Sequence, residues 1–416
     1  MRITQITVCL VIICALVINL TGCASVARAQ NLMNGITAND IGVTDCPESK
    51  NAAVTDFAIR LLRIGEDGKE NTLISPLSLM CALSMTANGA ENATLAQMEE
   101  VLGGAIGDLN NYLHSYLKGL PEGDNYKLSL ANSVWFTDNT HFSENRSFLQ
   151  TNADYYGADI YKCHFDDSTC RDINSWIKKN TDGMIPEILD RISPEAVMFL
   201  INALAFDAEW SDPYEKQQIN NGTFTKEDGT LQSAEFMSSN ESTYLEDENA
   251  VGFIKYYSER KYAFVALLPD EGTSITEYIA GLDGKSMHKL LTTPQRTAVR
   301  ASIPKFETSY SAEMSEVLMQ MGITEAFDRH KADFSGIGTY TDDNIYISRI
   351  LHKTYISVDD LGTRAGAATA VSLERNMASP DESAEVCLDR PFVYMLIDCE
   401  NFVPFFIGTM MDIEKH

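Results

Sequence analysis

The spacing of apolar residues changes along the chain from a helical repeat to a strand repeat. Residues 51–62 (NAAVTDFAIRLL) carry apolar side chains three and four positions apart, which predicts an amphipathic helix. A second helix is predicted after Ser75, because Ser75 suits an N-cap and Pro76 suits the first helical position. Thr94 and Gln97 are spaced as a capping box, which predicts the start of a third helix.

Strand patterns become more frequent towards the C-terminus. Residues 126–136 (YKLSLANSVWF) alternate along the chain, which is typical of a strand. Residues 197–206 (VMFLINALAF) are almost continuously apolar, as expected of a strand covered on both faces. Because helices predominate early and strands late, the pattern favours an α+β fold over a regular alternation of strands and helices.

Composition adds two limits to this picture. The chain has 416 residues, of which 44% are hydrophobic and 22% charged, so it can bury a large core. No low-complexity linker or internal repeat divides its middle, which is compatible with one large domain. The formal net charge of −27, without a long basic stripe, argues against nucleic acid or an anionic membrane surface as a partner.

The N-terminus has the composition of an export signal. Residues 1–22 combine one basic residue with a short apolar stretch, and the sequence LTGC that ends at Cys23 resembles a bacterial lipobox, in which Cys23 would be lipidated. A competing cleavage site at residues 27–29 (ARA) would release a soluble chain that begins at Gln30. Either alternative predicts an exported domain, and the polar residues 23–50 are expected to form a tether.

No catalytic or cofactor-binding motif is present. The sequence contains no GxSxG, HExxH, P-loop or dinucleotide-binding pattern, and its seven histidines are scattered. His352 lies within an apolar strand pattern, which is more typical of a hydrogen-bonded core histidine than of a catalyst. Asp359 and Asp360 form an acidic pair, but a solvated strand end explains them better than a cation site. We therefore expect no enzyme activity, no cofactor and no bound metal.

The cysteines show no metal-binding spacing. After the signal segment there is no CxxC pair and no histidine at ligand spacing. Cys81 lies within an apolar helical pattern and is expected to be a buried thiol. Cys163 and Cys170 are compatible with a disulfide, although two free thiols are the simpler expectation.

Several separated blocks of the chain resemble the serpin family, and together they cover residues 51–413. Any one block is weak evidence, but their order over the whole domain is specific. The blocks are NTLISPLSLMCALSMTANGA with TLAQM, LANSVWF, INSWIKKNTDGMIPEIL, LINALAFDAEW, IPKFETSYSAEMSEVLMQMGI, AFDRHKADFSGI, HKTYISVDDLGTRAGAATA, and PFVYMLID with PFFIGTM.

The resemblance implies one serpin domain over residues 51–416, with three β-sheets, eight or nine helices and an exposed reactive-centre loop at about residues 360–385. In this family a target protease attacks the loop as a substrate and forms an acyl-enzyme with it. The freed loop then inserts into the main sheet as a new strand, before the acyl-enzyme is hydrolysed. The resemblance thus implies that the chain is a suicide-substrate inhibitor of serine proteases.

The composition of the loop hinge agrees with such an insertion. The hinge comprises Asp360, Gly362, Thr363, Ala365, Ala367, Ala368 and Thr369. Side chains of a strand alternate between its faces, so Thr363, Ala365, Ala367 and Thr369 would enter the sheet on the inward face. All four are small and uncharged, while Arg364 falls on the outward face. Taken without its flanking blocks, the same stretch is also compatible with a mobile Ala/Gly surface loop.

Other positions match family sites block by block. Ser75, Ser78, Asn202 and His352 match the shutter, a hydrogen-bonded cluster beneath the opening sheet. Trp210, with Asp360 nearby, matches the breach, where insertion begins. Two hinge residues depart from the family pattern, because Arg364 and Asp360 each stand where the family usually has Glu.

The scissile bond is predicted by counting along the loop. Seventeen residues counted from Asp360 end on Asn376 and predict cleavage between Asn376 and Met377. Cleavage one residue later, between Met377 and Ala378, would suit elastase- or chymotrypsin-like proteases. Cleavage after Arg375 would suit trypsin-like proteases.

The expected partners are secreted serine proteases of the elastase, chymotrypsin, subtilisin or trypsin type, with cysteine proteases as a further class. A monomer is expected, outside the cell and held at its surface through a lipid at Cys23, or else secreted. The alternative function is a non-inhibitory serpin that carries a ligand or acts as a chaperone. That alternative predicts a bulky or charged residue on the inward hinge face, which this sequence lacks.

Overall fold

The computed structural model describes residues 29–138, 142–193, 195–340, 344–363 and 384–413. Within these ranges the fold is α+β, with nine α-helices, three large β-sheets and one two-stranded ribbon. The helices are α1 (Glu48–Gly65), α2 (Pro76–Ala87), α3 (Asn92–Leu102), α4 (Ile106–Gly119), α5 (Arg146–Tyr156), α6 (Asp167–Asn180), α7 (Ile275–Gly281), α8 (Gly284–Thr292) and α9 (Ser315–Met321). The predicted fold class, sheets and helix number are confirmed.

Nineteen strands within the described ranges build these sheets. They are β1 (Gln30–Asn31), β2 (Thr72–Ile74), β3 (Tyr126–Thr137), β4 (Phe142–Glu144), β5 (Asp159–Cys163), β6 (Met198–Glu209), β7 (Ile219–Thr225), β8 (Leu231–Glu241), β9 (Tyr244–Glu246), β10 (Ala250–Tyr256), β11 (Tyr262–Pro269), β12 (Val299–Pro304), β13 (Phe306–Glu313), β14 (Gly338–Tyr340), β15 (Ile347–Val358), β16 (Gly362–Thr363), β17 (Ala384–Cys387), β18 (Phe392–Asp398) and β19 (Pro404–Met410).

The sheets differ in size and order. The main sheet has seven strands in the order β1-β5-β3-β6-β16-β15-β13. The second sheet has six strands, β2-β19-β18-β11-β10-β9, and the third has four, β17-β12-β8-β7. Strands β14 and β4 form the ribbon.

Strand β6 lies between two hydrophobic layers, which explains its almost continuous apolar sequence. Leu200 and Leu204 belong to the large core, while Phe199 and Ile201 on the opposite face pack in a smaller cluster with Ile173 of α6. Alternate residues of the strand therefore enter different layers. A residue that pairs with β6 shares the face of its partner on β6. It therefore lies either on the inward face, towards the large core, or on the outward face, towards the smaller cluster.

Helix α2 begins as its sequence predicts. The Ser75 side chain accepts a hydrogen bond from the main-chain N–H of Ser78 at 3.3 Å, and Pro76 occupies the first helical position. Every residue of α2 is buried, so the helix lies inside the core beneath the main sheet. Ser75 and Ser78 are thereby held against strands β6 and β15.

The predicted capping box of the third helix is wrong. Helix α3 begins at Asn92, two residues before Thr94, and Thr94 and Gln97 cap other segments instead. The Thr94 hydroxyl accepts a hydrogen bond from the main-chain N–H of Asp333 at 2.9 Å. The Gln97 side chain accepts from the N–H of Thr324 at 2.9 Å. Both partners lie more than 200 residues away in sequence, so local spacing did not reveal them.

The described part of the predicted tether lies against the domain. Gln30 and Asn31 pair with β5 at the edge of the main sheet, and Leu32 is 6% exposed. Further along, Thr44 donates its main-chain N–H to Ser115 Oγ at 2.9 Å. At these points the segment is attached to the folded body, and main-chain pairing at a sheet edge does not require an apolar sequence.

Candidate site of strand insertion

The seam between β6 and β15 divides into a closed lower part and a separated upper part. The two strands pair in parallel from Met198 with Ile347 to Leu204 with Thr354. Above the last pair the strands separate, and the short strand β16 pairs with β6 and contacts the end of β15. Of the described residues, only Gly362 and Thr363 lie between the two long strands.

Gly362 and Thr363 are packed into the upper end of the seam. Thr363 lies opposite Ala208 on one side and Val358 on the other, and it is fully buried. Its hydroxyl is hydrogen-bonded to the hydroxyl of Tyr257. A Cβ atom on Gly362 would lie 2.0 Å from the carbonyl oxygen of Ala208, so only glycine fits. The close approach of the two main chains therefore explains why a glycine stands at this position of the hinge.

Three main-chain carbonyls of the turn between β15 and β16 are hydrogen-bonded to the segment that follows β6. The Trp210 main-chain N–H donates to Leu361 O at 2.8 Å, and Trp210 Nε1 donates to Asp359 O at 2.9 Å. Tyr214 N–H donates to Asp360 O at 2.9 Å. The start of the hinge is therefore anchored before any further strand enters the sheet.

Lys305 adds an ion pair at the same place. Its Nζ lies 2.6 Å from Asp360 Oδ1. The hydrogen bond from Lys305 holds the pKa of Asp360 below its ordinary value, so the carboxylate stays charged. Both side chains are about a quarter to a third exposed, and the pair orients the turn more than it stabilises the fold.

The four residues assigned to the shutter form one buried hydrogen-bonded cluster beneath the closed part of the seam. Ser78 Oγ donates to Asn202 Oδ1 at 2.8 Å, and the main-chain N–H of Ser75 donates to His352 Nε2 at 3.0 Å. His352 Nδ1 is hydrogen-bonded to the same oxygen of Asn202. The cluster joins α2 to β6 and β15, so the two strands cannot part without changing it.

The hydrogen bonds of His352 define its protonation state. Because a main-chain N–H can only donate, Nε2 must accept from Ser75, and the proton lies on Nδ1, which donates to Asn202. The side chain is fully buried, and burial lowers the pKa of His352 to about 3. The ring is therefore neutral at neutral pH, as expected of a core histidine.

Several residues that complete these two clusters were not predicted from the sequence. Asn132 of β3 accepts a hydrogen bond from Asn202 Nδ2 at 2.7 Å, and its position on a buried strand face was a signal for this role. Tyr214, Tyr257 and Lys305 hold the hinge turn, but they lie far from it in sequence. Nothing in their local sequence indicated that contact.

Some predicted site residues lie outside the described residues. These are Cys23, Ala365, Ala367, Ala368, Thr369, Arg375, Asn376, Met377 and Ala378. Their assignments stay predictions, as does the outward placement of Arg364.

The cysteines of the described domain are free thiols. Cys163 and Cys170 are both buried and not joined by a disulfide. Cys81 is completely buried, and burial raises its pKa to about 12. Such thiols are poor nucleophiles at neutral pH, and no group of three or more metal-ligating side chains occurs in the described ranges.

Comparison with known proteins identifies the architecture of this site. A family model described as "Serpin (serine protease inhibitor)" matches residues 52–413. A crystal structure of the thermophilic serpin tengpin in the native state is 49% identical and superimposes with a TM-score of 0.89, covering 93% of this chain and 100% of that one. Tengpin in the latent state is 48% identical with a TM-score of 0.79, covering 90% of this chain and 100% of that one.

Curated relatives extend over most of the chain at lower identity. A serpin-like protein of Thermococcus kodakarensis is 29% identical over 369 residues, which are 86% of this chain and 85% of the relative. The leukocyte elastase inhibitor of Equus caballus is 27% identical over 371 residues, which are 84% of this chain and 95% of the relative.

Proposed function

Because this chain belongs to the serpin family, we propose that it inhibits secreted serine proteases as a suicide substrate. The observation that carries this proposal is the position of Gly362 and Thr363 between β6 and β15. The first two residues of the entering strand already occupy the sheet, and small residues follow them in sequence. Serine proteases are the appropriate target class, since the family description names serine proteases and one relative is named as an inhibitor of elastase.

The proposed mechanism is a competition between strand insertion and hydrolysis. The Ser Oγ of the protease attacks a loop carbonyl, the peptide bond breaks, the amine of the downstream residue leaves with a proton, and an ester joins the loop to the protease. The upstream strand then enters the seam, starting from Thr363. Insertion moves the bound protease and distorts its catalytic site before water hydrolyses the ester.

The geometry of the seam supports a loop that has not yet inserted. The lower parts of β6 and β15 are still paired with each other, so insertion has to separate them. The higher TM-score with the native than with the latent state of tengpin agrees with this arrangement. Both observations support a starting state in which the lower part of the seam is still closed.

A gel assay tests the inhibition directly. The purified chain is mixed with elastase, chymotrypsin, trypsin and subtilisin, and the products are separated in SDS. We expect a covalent complex of chain and protease with at least one of these enzymes. Loop cleavage without any SDS-stable complex would contradict the proposal and favour the non-inhibitory alternative.

The cleavage site determines the target class. We propose cleavage between Asn376 and Met377, with Met377–Ala378 and Arg375–Asn376 as neighbouring alternatives. Mass spectrometry of the C-terminal fragment released from the complex distinguishes the three bonds, because each gives a different N-terminal residue. A fragment that begins with Ala378 would indicate an elastase- or chymotrypsin-like target, and one that begins with Asn376 would indicate a trypsin-like target.

Export and anchoring belong to the same proposal. We propose that the chain is exported and held at the cell surface by a lipid on Cys23. Among the described residues, no helix is both long enough and apolar enough to span a bilayer. Metabolic labelling with a fatty acid should mark the wild-type chain but not the Cys23→Ser variant, and an unlabelled chain that begins at Gln30 would favour secretion instead.

A further inference from the structure

A buried lysine lies beneath the segment that anchors the hinge turn. Lys255 of β10 is 2% exposed, and its Nζ lies 4.4 Å from the ring centroid of Tyr214 and 5.2 Å from that of Trp210. These are the two residues whose N–H groups hold the carbonyls of the turn. The Lys255 amine therefore contacts both anchoring residues at once.

The positive charge of Lys255 is paired with a carboxylate, and hydrogen bonds hold its amine in place. Its Nζ lies 3.0 Å from Glu241 Oε1 of the third sheet and donates to the main-chain oxygen of Asp212 at 3.4 Å. Although burial alone would lower the pKa of Lys255, Tyr214 and Glu241 raise it above its ordinary value. The faces of the two aromatic rings attract the protonated amine, and this attraction is stronger where water is excluded.

The neighbours of Lys255 connect three parts of the molecule. Glu241 also accepts a hydrogen bond from Ser239 Oγ at 2.6 Å, and Ser239 contacts the Tyr214 hydroxyl at 3.3 Å. The second sheet, the third sheet and the segment after β6 thus meet at one buried cation. Among the described residues, the Lys255 amine is a cation that lies over both the Trp210 ring and the Tyr214 ring.

We infer that Lys255 is a positioning residue that holds the Trp210–Tyr214 segment over the hinge turn and thereby keeps Gly362 and Thr363 at the start of the seam. The amine of Lys255 contacts Trp210 and Tyr214, so it acts on the hinge turn through these two aromatic residues. Its consequence for inhibition rests on the proposed function. With a loosened anchor, the cleaved strand starts to insert later, and more of the acyl-enzyme is hydrolysed before the protease is trapped.

The test combines amide hydrogen exchange with the stoichiometry of inhibition, the number of chains consumed per protease inactivated. Lys255→Met keeps the length of the side chain and removes its charge. Because this change leaves Glu241 without its cation, the double variant Lys255→Met/Glu241→Gln is measured beside it. Lys226→Met is the matched control, since Lys226 forms an ion pair with Asp412 at 2.6 Å at the C-terminus.

In both Lys255 variants we expect the amides of Trp210 and Tyr214 to exchange about tenfold faster than in the unchanged chain. The stoichiometry of inhibition should rise at least about threefold, because the anchor loss slows insertion relative to hydrolysis. The Lys226 control should lower the unfolding temperature without altering either quantity.

Two results overturn the inference. If both variants exchange these amides at the unchanged rate, Lys255 does not hold the anchoring segment. If exchange accelerates while the stoichiometry stays constant, the anchor does not govern insertion. Failure of the unchanged chain to inhibit any protease would instead contradict the proposed function, and the exchange measurement would still decide whether Lys255 positions the segment.

Discussion

The role of a single residue in this fold depends on the residues to which it is hydrogen-bonded. His352 alone is an apolar-strand histidine, but together with Ser75, Ser78 and Asn202 it ties two strands to a buried helix. Both of its ring nitrogens are used, one as acceptor and one as donor. Addition of a proton to Nε2 would remove the acceptor for the Ser75 N–H and place a charge in the core.

The stability of the chain should therefore fall in acid as His352 is protonated. The pKa of His352 is about 3 in the folded chain against about 6.5 when unfolded, so the unfolded chain binds more protons between these values. The free energy of unfolding should decrease as pH falls from about 6.5 to about 3, by up to ~1.4 kcal/mol per pH unit. Urea unfolding midpoints across this range measure the slope.

The variant His352→Gln removes this titration and should flatten the slope, although it lowers stability at pH 7 by breaking the cluster. His330→Gln, on the exposed surface, controls for the loss of one histidine. Equal slopes in the wild type and in His352→Gln would show that the buried ring does not titrate during acid unfolding.

Residue-level prediction from sequence succeeded where the cause is local. Ser75 and Pro76 define the start of α2 through contacts within one helical turn. The same reasoning failed for Thr94, whose hydroxyl serves a main-chain N–H more than 200 residues away. The identity of a polar residue does not indicate whether its hydrogen-bond partner is near or distant in sequence. Only the folded structure identifies that partner.

At the scale of elements, the register of β16 predicts the path of the strand that would follow it. Thr363 lies opposite Ala208 of β6 and Val358 of β15, and both pairings are antiparallel. Continued along the chain, this register would place position 367 between Leu204 and Thr354, both fully buried. Position 368 would then fall on the outward face.

A charged side chain should therefore block strand insertion at position 367 but be tolerated at position 368. Ala367→Arg would bury a guanidinium without a partner, at a cost of several kcal/mol, and should block insertion. We expect this variant to be cleaved as a substrate, with little or no SDS-stable complex. Ala368→Glu places a charge on the outward face, opposite Lys353 of β15 in the same register, and should retain most of the inhibition. Equal loss in both variants would contradict the register.

The same register would place Arg364 opposite Asp207 of β6 on the outward face. Opposite charges at directly opposed strand positions contribute ~0.2–1 kcal/mol. In the loop-cleaved form, Asp207→Arg and Arg364→Asp should each lower the thermal midpoint, and the combination of both changes should recover part of the loss. A double-mutant cycle on the cleaved chain measures this coupling, and additive losses would exclude the pair.

At the scale of the whole molecule, sequence patterns predicted the fold class and many residues of the site. They did not predict the long-range contacts that bring those residues together. The period change from helices to strands predicted α+β, and the separated blocks predicted three sheets around one loop. The attachment of Gln30 and Asn31 to the edge of the main sheet escaped prediction, because these residues pair through main-chain groups. Lys255 and Lys305 also escaped prediction, since their partners lie far from them in sequence.

A native chain of this fold holds one ladder of hydrogen bonds where an inserted chain would hold two. Seven residue pairs of β6 and β15 are joined directly along the seam. A strand inserted between them would pair on both sides, and a dozen additional hydrogen bonds at ~1 kcal/mol each would contribute on the order of 10 kcal/mol. Loop cleavage should therefore raise the thermal midpoint by more than about 10 °C.

The thermal midpoint is measured by circular dichroism before and after limited proteolysis of the loop, with cleavage confirmed by mass spectrometry. Ala367→Arg, cleaved in the same way, is the control, because its loop is cut but cannot insert without burying the charge. The wild-type midpoint should rise while that of Ala367→Arg stays close to its uncleaved value. An unchanged wild-type midpoint would mean that the seam stays closed after cleavage, and the inhibitory mechanism would then lack its driving force.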